Sequence, residues 1–181
     1  TIVKVGGNVI NNPEALESFL SDFAALKGKK ILVHGGGKRA TQLAADLSIE
    51  ATMINGRRVT DTPTLEIVTM VYAGLLNKNI TATLQKYHCN ALGLSGADGN
   101  SIQAHKRIVK DVDYGFAGDV DAINSEIIDV LLQQNVTPVF CAITHDKNGQ
   151  LLNTNADTIA SEVAIGMSNL YKTELNFVFE L

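Results

Sequence analysis

A lysine stands inside the otherwise apolar run Ile2-Val3-Lys4-Val5, and two positions later come Gly6 and Gly7. Burying an ammonium among β-branched side chains is costly unless an anion meets it. Lys4 therefore marks a place where a negative group is expected. A second glycine turn, Gly35-Gly36-Gly37, follows the apolar run Ile31-Leu32-Val33-His34. Junctions of this kind can present consecutive backbone N–H groups to phosphate or carboxylate, at a helix end or in a nest. Neither turn follows GxGxxG or the P-loop pattern, and a glycine cluster is equally a plain tight connection. The spacing leaves both readings open.

Two further clusters could grip an anion. Asn55-Gly56-Arg57-Arg58-Val59-Thr60 places a pair of arginines just before Pro63, and a guanidinium fork binds a carboxylate through two parallel hydrogen bonds. Its ordinary alternative is a solvated pair of loop charges. Asn153-Thr154-Asn155-Ala156-Asp157 leads into an apolar helix, where such residues serve equally as N-caps. Cys89 and Cys141 stand alone amid apolar residues, outside any metal-ligand or CxxC spacing, and read as buried free thiols. His88, His105 and His145 fall beside expected turns and strand ends, where a solvated or capping role outweighs catalysis.

The elements that must position these residues alternate. Ile2–Val5 reads as a buried strand ended by Gly6-Gly7. Asn12 and Pro13 then open a helix through Leu16, Phe19, Leu20 and Phe23 that closes at Gly28. After residues 31–34 and the glycine triplet, Ala40, Leu43, Ala44 and Leu47 trace a second amphipathic helix. A third runs from Thr62-Pro63 through Leu65, Val68, Tyr72, Leu75, Leu76, Ile80 and Leu84, more than about five turns. Residues 91–95 and 139–143 read as buried strands, and residues 102–105 and 119–123 as a β-hairpin insertion. Asn124 caps a helix over Ile127, Ile128, Leu131 and Leu132, and Lys147-Asn148-Gly149-Gln150 is a tight turn. A last helix from Ala156 through Met167 precedes a final strand at residues 175–179. This order predicts an α/β fold, an open three-layer αβα sandwich on a mainly parallel central sheet.

With 181 residues and 45% of them hydrophobic, the chain can bury one substantial core. A net charge of −4 and the lack of a basic cluster beyond Lys29-Lys30 and Lys106-Arg107 remove the footprint of nucleic-acid binding. No apolar run approaches the roughly eighteen residues of a membrane helix, and the first residues lack the pattern of a leader peptide. A cytoplasmic protein without nucleic-acid or membrane partners is the expectation.

Lys4-Val5-Gly6-Gly7, His34-Gly35-Gly36-Gly37, Asn55-to-Thr60 and Asn153-to-Asp157 occur in the order and approximate spacing of K-x-G-G, H-G-G-G, N-G-x-R-V-T and N-x-N-A-D. In these motifs the sequence resembles the acetylglutamate kinases of the amino acid kinase family, from its first residue to its last. The resemblance implies ATP with Mg²⁺, N-acetyl-L-glutamate as acceptor, and a homodimer. It implies that Lys4 neutralises charge on the transferring phosphoryl group and that Asp157 orients the catalytic lysines. Gly6 and Gly7 would then bind phosphate, Gly36 and Gly37 the substrate, Arg58 its α-carboxylate, and Asn153 and Asn155 the remainder.

The absence of a Ser/His/Asp or Cys/His arrangement suits this chemistry. A carboxylate nucleophile, with a reference pKa of about 4.3, is already ionised at neutral pH and needs no general base. Residues 1–181 would form the acylglutamate-binding part. The resemblance implies that such kinases also have a nucleotide-binding region with a second catalytic lysine, and that part is expected to be absent from residues 1–181. The lack of a helix before Ile2 would go with insensitivity to arginine. An N-succinylglutamate kinase, or a carboxylate-binding regulatory domain without catalysis, are the competing readings.

Overall fold

A computed structural model describes residues 1–179. The chain begins with β1 (Ile2–Val5), the short helix α1 (Gly7–Asn11), α2 (Pro13–Ala25), β2 (Ile31–His34) and α3 (Gly37–Asp46). There follow the small hairpin β3 (Met53–Ile54) and β4 (Arg57–Arg58), and then α4 (Thr62–Thr69), which continues through a π-helical stretch, Met70–Leu76, into α5 (Asn77–Lys86). The second half comprises β5 (Ala91–Leu94), β6 (Ile102–Lys106), β7 (Ala117–Ile123), α6 (Ser125–Gln133), β8 (Thr137–Cys141), β9 (Ile143–His145), β10 (Leu151–Thr154), α7 (Ala156–Ser168) and β11 (Leu175–Val178).

Five parallel strands form the central sheet in the order β11-β1-β2-β8-β5. Alternation along each strand sends successive side chains to opposite faces. Val3, Val5, Leu32 and Val139 pack with Leu20, Phe23, Ile80 and Leu84, covering one face with α1, α2 and α5. Ile2, Ile31, Val33 and Phe140 pack with Ala40, Val68, Ile128 and Ile159 on the other, under α3, α4, α6 and α7. This is the expected αβα sandwich. At about 1.5–3 kcal/mol for each fully buried large apolar side chain, these two layers hold the sheet ends in place.

Local chemistry sets several boundaries. The Asn12 side chain accepts from the N–H groups of Glu14 and Ala15 at 3.1 Å and starts α2. Asn124 caps α6 through the Ile127 N–H. The helix after Pro13 stops at Ala25, before the anticipated Gly28.

Other expectations are corrected. The Gly6-Gly7 turn leads straight into a short helix that the sequence did not suggest, because α1 begins at Gly7. Residues 139–143 are not one strand: Ala142 breaks the run, and its carbonyl accepts from the Thr154 N–H at 3.1 Å. The residues after the break thereby join a different sheet. β5 is an edge strand, so Leu92 is exposed rather than buried. The hairpin β6–β7 does form, but it closes with β9 and β10 into a four-stranded barrel. The final strand ends at Val178 rather than Phe179, and Glu180 and Leu181 lie outside the described residues.

Candidate active site

In a parallel sheet all strand C-termini lie along one edge, where ligands of open α/β folds bind. Here the carboxyl ends of β1 and β2 deliver Gly6-Gly7 and Gly35–Gly37 to that edge. Beside it lies a cavity of about 210 Å³. Its lining includes Gly36, Gly37, Arg58, Tyr72, Asn153 and Asn155. Three motifs far apart in sequence thus converge on one space.

Arg58 is buried, with 8% of its surface exposed. Its Nη2 donates to the Gly37 carbonyl at 3.0 Å and to Thr41 Oγ1 at 2.7 Å, and the Thr41 hydroxyl also donates to Gly37 O at 2.9 Å. The guanidinium is therefore tied to the glycine turn rather than solvated. Arg57 also lines the cavity but is less buried.

Asn153 Nδ2 donates to Thr60 Oγ1 at 3.0 Å, and that hydroxyl donates to the Arg58 carbonyl at 3.2 Å. Thr60 is held in turn by the segment that leads into β7: its N–H donates to Tyr114 O and its carbonyl accepts from Phe116 N–H at 2.6 Å. Gly115 is required at this crossing. It has φ +63°, and a Cβ there would lie 2.2 Å from Thr60 O. Asn155 caps α7, its Oδ1 accepting from the N–H groups of Asp157 and Thr158 at 2.8 and 3.0 Å. The capping reading of this cluster thus holds for Asn155 and leaves only its amide N–H groups for a ligand.

The anion that meets buried Lys4 is a carboxylate of the chain itself. Lys4 Nζ lies 2.8 Å from Asp157 Oδ1 and 5.0 Å from the centre of the Phe179 ring. Asp157 Oδ1 accepts no aligned hydrogen bond, so this is a contact of charges, and the Asp157 side chain is half exposed. Lys4 and Asp157 do not line the cavity but stand at the adjoining end of β1. Gly6 departs from the expectation that it offers a backbone donor. Its N–H is taken by Val178 O at 2.9 Å, and a Cβ would press on the same carbonyl at 3.1 Å. The residue is small because β11 passes close by, and the first unpaired N–H groups of α1 come after it.

Tyr72, Thr41 and His34 were not identified as site residues from the sequence. Tyr72 occupies an apolar helical position, yet the π-helical stretch turns its ring and Leu76 onto Gly36. A Cβ at Gly36 would fall 2.4 Å from Leu76 Cδ1 and 2.9 Å from Tyr72 Cδ1. Burial raises the Tyr72 pKa, opposed by the nearby Arg58. Of the three, His34 carries a sequence signal as the first residue of the H-G-G-G motif, and Thr41 lies one helical turn after Gly37. Cys141 is buried and its thiol is pushed up to about 12, chiefly by desolvation, so it is no nucleophile. Both cysteines are free, as expected. No helix among the described residues is long and apolar enough to cross a membrane.

This fold and the clustering of anion-binding groups at its strand ends define a class: the chain belongs to the amino acid kinase family, whose profile matches residues 1–169. Among curated relatives it is 57% identical over 181 residues to the acetylglutamate kinase of Cytophaga hutchinsonii, covering 99% of this chain and 69% of that protein. It is 53% identical over 180 residues to the acetylglutamate kinase of Phocaeicola vulgatus, covering 99% and 70%. Among solved structures it resembles N-acetylglutamate synthase from Neisseria gonorrhoeae, in complex with coenzyme A and N-acetyl-glutamate. That match has a TM-score of 0.82 at 20% identity and covers 98% of this chain and 40% of the other. At that identity the likeness speaks for the fold alone.

Proposed function

We propose that this chain supplies the acylglutamate-binding part, residues 1–181, of an enzyme that transfers the γ-phosphoryl group of ATP to the side-chain carboxylate of N-acetyl-L-glutamate, a step of arginine biosynthesis. The observation that carries the reading is the buried Arg58, tied to the Gly37 turn and facing a cavity that Asn153 and Asn155 also line.

The free N–H groups of Arg58 grip the α-carboxylate of the acceptor. Asn153 Nδ2 is held by Thr60, which leaves Oδ1 to accept the N–H of the acyl amide. Asn155 is the converse case: its Oδ1 is committed to the cap, and its amide N–H groups donate to acceptor oxygens. The acceptor's side-chain carboxylate is thereby set between the glycine turns. There the N–H groups of Gly7, Gly36 and Gly37 stabilise negative charge on the phosphoryl and carboxylate oxygens. Gly6 lets β11 approach closely enough to frame the phosphate side. Lys4 neutralises charge that redistributes during transfer, and Asp157 aims its ammonium.

Mg²⁺ carried by the nucleotide supplies further charge neutralisation. It would come with the polyphosphate, because Mg²⁺ in such sites is held mainly by phosphate oxygens and water. The same reading includes homodimeric assembly and residence in the cytoplasm. The exposed Leu92 on edge strand β5 is in keeping with a partner at that edge. Light scattering behind size exclusion tests assembly, and a monomer at micromolar concentration refutes it. For the activity, the test is ADP release by the intact protein with N-acetyl-L-glutamate. Absence of turnover with any acylglutamate refutes the kinase reading, and preference for the N-succinyl compound reassigns the acyl group.

A further inference from the structure

His34 ends β2 immediately before the glycine turn, and neither its ring nor Asn77 exposes any surface to solvent. The two lie 43 residues apart in sequence and meet with Asn77 Nδ2 3.0 Å from His34 Nε2. The same Asn77 nitrogen donates to the Val139 carbonyl at 2.9 Å, while Lys78 Nζ donates to Asn77 Oδ1 at 3.1 Å. A carbonyl can only accept, and an ammonium can only donate. These two neighbours therefore fix which way the Asn77 amide points. Its nitrogen must face the imidazole, so Nε2 must be the accepting, unprotonated nitrogen. The proton then resides on Nδ1, which lies 2.8 Å from the Gly35 carbonyl and donates to it.

That carbonyl belongs to the same planar peptide unit as the Gly36 N–H. In a trans peptide the two point in opposite directions. Holding the Gly35 oxygen against the sheet therefore turns the Gly36 N–H away from it, and Gly36 lines the cavity. We propose that His34 and Asn77 are a positioning pair. A neutral imidazole, held by Asn77 in its Nδ1–H tautomer, clamps the Gly35 carbonyl and aims the Gly36 N–H at the reacting oxygens. This deepens the kinase reading above and rests on it for its catalytic consequence.

Several features fit a built device rather than incidental packing. The π-helical stretch Met70–Leu76 ends where Asn77 begins, so one irregular segment delivers both the amide and the Tyr72 and Leu76 contacts that flank Gly36. Gly93 leaves room for the pair, since a Cβ there would lie 2.1 Å from Asn77 Oδ1. Burial, with a smaller contribution from Lys78, lowers the His34 pKa to about 4, which keeps the ring neutral across the physiological range.

Two variants of His34 separate positioning from packing. In His34→Asn the side-chain amide nitrogen takes the place of Nδ1 and keeps a donor for Gly35. In His34→Gln the amide reaches only the Nε2 position and leaves Gly35 unheld. In the intact protein, His34→Gln should lower kcat by about tenfold to a hundredfold, within what misplacing one oxyanion donor costs. KM for N-acetyl-L-glutamate should stay within about threefold of wild type, and His34→Asn should restore kcat to within about threefold. Equal kcat for the two variants, or a better kcat for the bulkier Gln, overturns the proposal.

Long-range ¹H–¹⁵N NMR on the unmutated, ¹⁵N-labelled protein gives a readout that needs neither turnover nor a stable variant. A protonated Nδ1 and bare Nε2 at pH 6 to 8 support the clamp, and the opposite tautomer or an imidazolium overturns it. A wild type that turns over no acylglutamate refutes the kinase reading, and the NMR tautomer then decides the clamp by itself.

Discussion

Replacing Arg58 with alanine should chiefly weaken acceptor binding, and the structure allows the effect to be apportioned. Both hydrogens on Nη2 are engaged, by Gly37 O at 3.0 Å and Thr41 Oγ1 at 2.7 Å, leaving the N–H groups on Nη1 and Nε. Either two-bond geometry toward a carboxylate uses one Nη2 hydrogen. The substrate must then displace one of these contacts, and the Thr41 hydroxyl, which already donates to Gly37 O, is the one more easily released. A charge-assisted pair in a half-closed site is worth about 2 to 4 kcal/mol, so KM for N-acetyl-L-glutamate should rise by about 30-fold to 1000-fold. Because Arg58 also steadies Gly37, kcat should fall too, by no more than about tenfold. Thr41→Val, which leaves Nη2 one fewer partner, should hold KM steady or lower it. Steady-state ADP release at saturating ATP measures both constants, and a thermal melt checks folding. An unchanged KM in Arg58→Ala, with a raised KM in Arg57→Ala, would move the fork to Arg57 and refute the reasoning.

Lys4→Ala should lose about a hundredfold or more in kcat, because its charge matters most while the phosphoryl group is in transit. Near-normal kcat with only a lower melting temperature would make the Lys4–Asp157 pair purely structural. Gly115→Ala should destabilise the fold by more than about 1 kcal/mol, since the position has φ +63° and a Cβ would strike Thr60 O; urea unfolding with an unchanged midpoint refutes this. His34 should make stability acid-sensitive. Its folded pKa, about 4, lies below its ordinary 6.5, so the stabilisation is fully present above pH 6.5 and is lost as pH falls toward 4. The loss is about 3 kcal/mol, visible as a pH-dependent urea midpoint that flattens in His34→Asn. A variant with the same pH slope as wild type refutes the assignment.

Much of this was written locally. Strand alternation, the N-caps at Asn12 and Asn124, Pro13 and Pro63, and the glycine turns depend on neighbours within a few residues, so the layers and most elements could be read from the sequence. Lys4 could be picked out because a charge inside an apolar strand breaks a local expectation, whereas Arg58, Asn153 and Asp157 were marked only by the resemblance of their motifs, since loop arginines and N-capping polar residues are locally ordinary. Tertiary structure alone decided what those residues meet. The carboxylate facing Lys4 comes from more than 150 positions away in Asp157, and Gly6 proved to be small for the sake of β11 rather than to bare its N–H. Ala142 splits an apolar run that reads as one strand, because Thr154 draws its carbonyl into the barrel. The Tyr72 ring and the Asn77 amide looked like ordinary helix positions until the π-helical stretch rotated them toward the glycine turn. Sequence periodicity reports the average burial of a face, whereas pairings between distant groups depend on how the layers dock. A buried histidine inside an apolar strand therefore carried no signal of the asparagine 43 residues away that fixes its proton.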